Sequence, residues 1–158
     1  MVTRRDVLPA FAAMLTLPLR GAAAETQERE DVTFVRRTYQ RQILRDVRNV
    51  PMTDAELQAV FTNDVRRLLQ SPVPPRPDVP IGPKLHAFYG PAVLPGWEVT
   101  LHGYTPGEGT VAVDIKIRGV PRRLVVHPVR EDGEWRIANI VYGPGEDFVS
   151  YHRKLRGQ

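Results

Sequence analysis

Apolar residues recur every three or four positions between residues 30 and 70, and every two positions from residue 97 onward, so one core must satisfy two periods. From Glu30 to Arg48, the residues Val32, Val35, Tyr39, Ile43 and Val47 follow helical spacing, with arginines on the opposite side. A second helix is expected from Thr53, whose hydroxyl caps the first turn while Glu56 caps Thr53 in return. It runs to about Gln70 and buries Leu57, Val60, Phe61, Leu68 and Leu69. Beyond it, Trp97, Val99 and Leu101 alternate with Glu98, Thr100 and His102. Val111, Val113, Ile115 and Ile117 alternate with Ala112, Asp114, Lys116 and Arg118. Further strands are expected over about Arg122 to Arg130 and Glu134 to Tyr142, joined by Glu131-Asp132-Gly133, and a short helix over Asp147 to Leu155. Helices followed by an antiparallel meander of about four strands make an α+β layer fold, with the N-terminal helices gathered on one face of a curved sheet.

Two segments resist this pattern. Ser71 to Pro80 contains five prolines, which withhold backbone donors and fix φ, so it is an extended loop long enough to wall or cover a pocket. Lys84 to Tyr89 fits a short helix or a short strand equally. The 158 residues are 42% hydrophobic and 25% charged, as in an ordinary globular domain, and contain no cysteine. That excludes disulfides, thiolate nucleophiles and cysteine-ligated metal centres.

The first 24 residues read as a cleavable export signal. Thr3-Arg4-Arg5-Asp6 precedes an apolar stretch from Val7 to Leu19, and Ala22 and Ala24 form an Ala-x-Ala cleavage site. The Arg4-Arg5 pair directly before the apolar stretch resembles the twin-arginine signal, with Val7 where Phe is more usual. Pro9 and Pro18 argue against a helix of the folded domain. The precursor is therefore expected to engage the twin-arginine export machinery and reach the periplasm or the medium. Residues 25–158 remain as a single α+β domain with an ordered core over about 30–156. The apolar stretch is too short to span a bilayer, so no transmembrane segment is expected. Cleavage also removes Arg4, Arg5, Arg20 and Asp6 and halves the formal charge of +4. The remainder is too small to argue for nucleic acid.

The order helix, capped helix, proline loop, short segment and meander resembles the cone-shaped fold of nuclear transport factor two and the ketosteroid isomerase and limonene epoxide hydrolase group. The turns Gly82-Pro83 and Leu94-Pro95-Gly96-Trp97 and the string Asp132-Gly133-x-Trp135-x-Ile137-x-Asn139-Ile140 resemble, more narrowly, an exported bacterial family of domains of unknown function with that fold. The resemblance covers about residues 30 to 156. It implies a cone that hosts enzymes, binding modules and dimerisation scaffolds alike. Enzymes of the group usually place a carboxylate base and a tyrosine or acidic donor inside the cone. Asn139 stands where an acid is often found, and an amide is no base near neutral pH.

Asn139 shares the face of Trp135, Ile137 and Val141 by strict alternation. There it either orients a ligand or is a core amide satisfied by backbone or water. Asp114, the acid in mid-strand, is a general-base candidate if buried, and a solvated ion-pair partner if it stays with Lys116 and Arg118. His86, His102, His127 and His152 show no metal-ligand spacing, and neither metal nor cofactor is expected. Arg37, Arg41, Arg45 and Arg48 form a basic stripe, either solvated and paired with Glu30, Asp31 and Asp46 or facing an anionic lipid surface or acidic protein. The expected function is a non-enzymatic envelope module binding a small amphipathic ligand or a protein partner. Tyr89, Trp97, Tyr104, Trp135, Asn139 and Tyr142 lie near its pocket. A carboxylate/tyrosine isomerase or hydrolase and a homodimeric scaffold are the alternatives.

Overall fold

The computed structural model describes residues 30–74, 85–91, 93 and 96–158. Arg4, Arg5, Ala22, Ala24, the turns at Gly82-Pro83 and Leu94-Pro95 and most of the proline-rich stretch lie outside them. Helix α1 (Glu30–Val47) carries Glu30 and Asp31 in its first turn, where carboxylates complement the free N–H groups. It ends at Asn49, whose φ of 53° turns the chain so that the Val50 N–H reaches the Arg45 carbonyl at 3.0 Å.

The expected second helix is two. Helix α2 (Asp54–Val60) opens on the Thr53–Glu56 capping box, and α3 (Asn63–Gln70) opens on Thr62. Between them Phe61 is extended and the Thr62 N–H donates to the Ile137 carbonyl at 3.1 Å. The helical hydrogen bonds forgone across the break are replaced by the Thr62 side-chain cap and the Glu131 carboxylate on the Asn63 N–H, and Phe61 is buried in the core.

Five antiparallel strands follow in sequence order: β1 (Val99–Gly107), β2 (Thr110–Ile117), β3 (Val120–Glu131), β4 (Glu134–Gly143) and the short β5 (Glu146–Asp147), before helix α4 (Phe148–Arg156). The architecture is α+β, as expected, with one strand more than the meander read from alternation. The hairpins Arg118-Gly119 and Asp132-Gly133 have positive φ at both residues, the geometry that matches strand twist.

Alternation fails at three register shifts, one at Tyr142 where β4 meets β5 and two in the pairing of the long strands. Leu101 pairs with Ile115 but Gly103 pairs with Asp114, which leaves His102 as an extra residue in β1. His127 pairs with Asn139 but Pro128 pairs with Ile137, which leaves Ala138 extra in β4. Each of these two bulges reverses the inward parity of its strand. Tyr104 is thereby opposite the buried Val113, and Ile140 opposite the buried Val126. The inner face of the sheet presents Val111, Val113, Ile115, Ile117, Leu124, Val126, Ile137 and Ile140. Helix α1 covers β1 to β3 with Val32, Val35 and Tyr39, while α2, α3 and α4 lie against β4. Fully burying each such side chain stabilises the fold by roughly 1.5–3 kcal/mol.

Candidate functional site

The interior beneath α1 gathers four tyrosines around the turn at residues 85–90. The Tyr39 hydroxyl donates to the Phe88 carbonyl at 3.1 Å, and the Tyr142 hydroxyl donates to the Ala87 carbonyl. Tyr89 is buried and its hydroxyl donates to Asp46 Oδ2 at 2.7 Å. Tyr104 completes the group and lies beneath the Arg36 guanidinium, 5.4 Å from its ring centroid. Burial pushes the Tyr104 phenol up to about 12, against the opposing Arg36 charge. It pushes Tyr39, Tyr89 and Tyr142 further still, so all four are neutral near neutral pH.

Asp46 sits at the mouth of this cluster. Tyr39, Gln42 and Asp46 occupy positions i, i+3 and i+7 of α1 and so share its inner face. Asp46 Oδ1 accepts from Gln42 Nε2 at 2.9 Å and lies 3.5 Å from His86 Nε2. Burial works to raise its pKa, but bonds from His86, Tyr89 and Gln42 together hold it below the usual carboxylate range. The His86 ring stacks on Tyr89 at 4.2 Å, and its Nδ1 accepts the Phe88 N–H at 3.3 Å. Both His86 nitrogens and both Asp46 oxygens are thus engaged, in an arrangement that fastens the 85–90 turn to α1 rather than one that waits for a proton. Two polar atoms flanking Tyr39 are buried without a partner, Gln42 Oε1 and Tyr104 Oη.

Of the six residues expected near a pocket, Tyr89, Tyr104 and Tyr142 meet here and the other three do not. Trp97 lies two residues before β1 under Arg118, and Trp135 near the start of β4 under Arg130, each guanidinium 5.1 Å from its ring centroid. The bulge at Ala138 takes Asn139 off the face of Ile137. Its Oδ1 accepts from the Ile140 and Val149 N–H groups at 2.9 and 3.2 Å, and its Nδ2 donates to Asp147 Oδ1 at 2.9 Å. Asp147 in turn caps α4 by accepting the Ser150 N–H at 2.9 Å. Asn139 is therefore the amide satisfied largely by backbone, seating α4. Asp114 faces outward and takes both its bonds from Arg123, at 2.7 and 2.9 Å, and that pairing holds its carboxyl below the usual range. Its environment is that of a solvated cross-strand pair.

The sequence did not mark a groove between α3, α4 and the β3–β4 hairpin. Its volume is about 600 Å³; Val65, Leu68, Val129 and Val149 line it, with Arg67 and Arg153 among its charged residues. Asp64 pairs with Arg67 at 2.6 Å, and the Glu131 carboxylate accepts the Asn63 N–H at 3.0 and 3.1 Å. Arg130, also lining the groove, pairs with Glu30, which leaves Arg153 without a carboxylate partner among the described residues. Those residues also bring no three His, Asp or Glu side chains together as metal ligands, and none of their helices is long and apolar enough to cross a membrane. The groove depends on the α2–α3 break, for which Thr62-Asn63-Asp64 was the legible sign: three cap-forming residues inside an apparent helix. No family model, curated protein or solved structure matches the chain.

Proposed function

We propose that the chain is an exported binding module of the cell envelope that holds a small amphipathic ligand in the groove between α3, α4 and the β3–β4 hairpin. In this reading residues 1–24 are a twin-arginine signal peptide, read at Arg4-Arg5 and cut after Ala24, and the helices and sheet form a cone like that of nuclear transport factor two. The observation that carries it is the groove itself. Apolar Val65, Leu68, Val129 and Val149 beside Arg153, which has no carboxylate partner among the described residues, suit a short acyl or aryl body with a negative head. The tyrosines of the interior support binding outside the cone rather than within it, because three of their hydroxyls are spent on the 85–90 turn and Asp46. The outward Asp114–Arg123 pair supports binding over carboxylate/tyrosine isomerisation.

Native mass spectrometry of the protein from its own envelope fraction tests this. The expected result is a mass excess that disappears on denaturation and is absent from Val129→Trp, which fills the groove from an exposed position. With decanoate as the probe, Arg153→Gln is expected to weaken binding about tenfold, the loss of one charge-assisted hydrogen bond. A bare mass, together with no decanoate-induced shift of the Val65, Leu68 and Val149 methyl resonances, would overturn the reading.

A further inference from the structure

The outer face of α1 carries a combination of side chains that the fold itself does not use. Leu44 is 58% exposed, Val47 80%, and Val50, in the turn that ends the helix, 47%. Arg37, Arg41 and Arg48 are exposed around them, with Arg37 and Arg41 one turn apart and Leu44 between Arg41 and Arg48. Of the nearby carboxylates, Glu30 pairs with Arg130, Asp46 is held by Gln42 and Tyr89, and Glu56 pairs with Arg45, while Asp31 accepts the Val32 N–H and neither it nor Asp54 forms an ion pair with these arginines among the described residues. Like charges one turn apart, with no partner among the described residues, call for an external anion.

We infer that this face docks the protein on an anionic phospholipid bilayer, with Leu44, Val47 and Val50 dipping below the headgroups and Arg37, Arg41 and Arg48 at the phosphates. The chemistry favours lipid over protein. Three aliphatic side chains fall far short of the roughly 800 Å² per partner that a stable protein interface covers. The same three suffice for shallow insertion when flanking arginines supply the attraction, since a guanidinium can keep its stem in the interface and its head at a phosphate. The helix lies along its bilayer rather than across it, consistent with its alternation of buried and exposed faces.

The chain has no cysteine, so Leu44→Cys gives a single site for an environment-sensitive fluorophore in the full-length protein. With vesicles of phosphatidylcholine containing 30% phosphatidylglycerol, the label is expected to shift to the blue. It is not expected to shift with phosphatidylcholine alone, nor from Glu108→Cys on the β1–β2 hairpin. Val47→Asp is expected to lower flotation with the anionic vesicles to the level seen with phosphatidylcholine alone while leaving the Tm unchanged, and Arg41→Gln to weaken the anion-dependent part about fivefold. Residues 7–19 are present in every variant, so any binding through them cancels in the comparison. Equal flotation of Val47→Asp, or an unshifted label at position 44, would overturn the inference. Salt-insensitive flotation would do so too, because the arginine contribution is screened.

Discussion

Gly90 is tied to its place by two independent requirements. Its φ is 93°, and a Cβ built there would stand 2.9 Å from the ring of Tyr142. Gly90→Ala is expected to lose roughly 2–5 kcal/mol in chemical denaturation, combining left-handed strain with overpacking. His152 makes the other residue-level prediction. Burial, helped by the nearby Arg156 charge, lowers its pKa to about 4, and Arg156 Nη1 lies 3.2 Å from its Nδ1. A histidine near 6.5 in the unfolded chain and near 4 in the fold contributes stability above pH 6.5 that is lost as the pH falls toward 4. Measured unfolding free energy should decline across that window, and His152→Gln should flatten the upper part of the decline. The burial of His152 is not legible in the sequence, because it depends on Phe148 and on Arg156, which itself reaches back to the carbonyls of Leu69 and Ser71. A chain position carries no sign of such long-range neighbours.

Periodicity located the elements well and their phase less well. The switch from helical to alternating spacing located α1, the start of α2, the last helix and the four long strands. What it could not register was an inserted residue, since a bulge leaves both flanking runs alternating. Strict alternation sets Asn139 beside Ile137, which the bulge at Ala138 undoes, whereas the bulge at His102 is what brings Tyr104 opposite the buried Val113. Deleting His102 therefore gives a sharp outcome. The deletion keeps Tyr104 opposite Val113 and closes the ladder, so the variant should fold with a Tm within a few degrees of the parent. If β1 were regular instead, the same deletion would reverse every side chain beyond it and abolish cooperative unfolding.

For the molecule as a whole, the α+β class and the helices-then-sheet order were legible because each rests on a pattern many residues long. The groove was not, because it is formed by α3, α4 and a hairpin whose mutual distances no local pattern encodes. The tyrosines were legible as buried aromatics but not in their task of fastening a loop. That task has a bulk consequence. Tyr39, Tyr89, Tyr104 and Tyr142, four of the five tyrosines, have phenols raised above their ordinary range. A group raised on folding contributes stability below its unfolded pKa, near 10, and loses it as the pH climbs. Alkaline titration followed at the phenolate absorbance should show these four ionising together with the loss of near-ultraviolet circular dichroism, not before it.

The two margins of the sheet differ. β4 is closed along its outer side by the Phe61–Thr62 break and by β5, whereas among the described residues β1 has no strand beyond it. The bulge at His102 and the imino nitrogen of Pro106 roughen that open margin. A lattice of strands needs two joining edges on every copy, and among the described residues β1 is the long one, the opposite margin ending in the two-residue β5. Should two copies meet through β1, the described residues leave only the short β5 margin for further main-chain pairing, which favours a pair over a fibre.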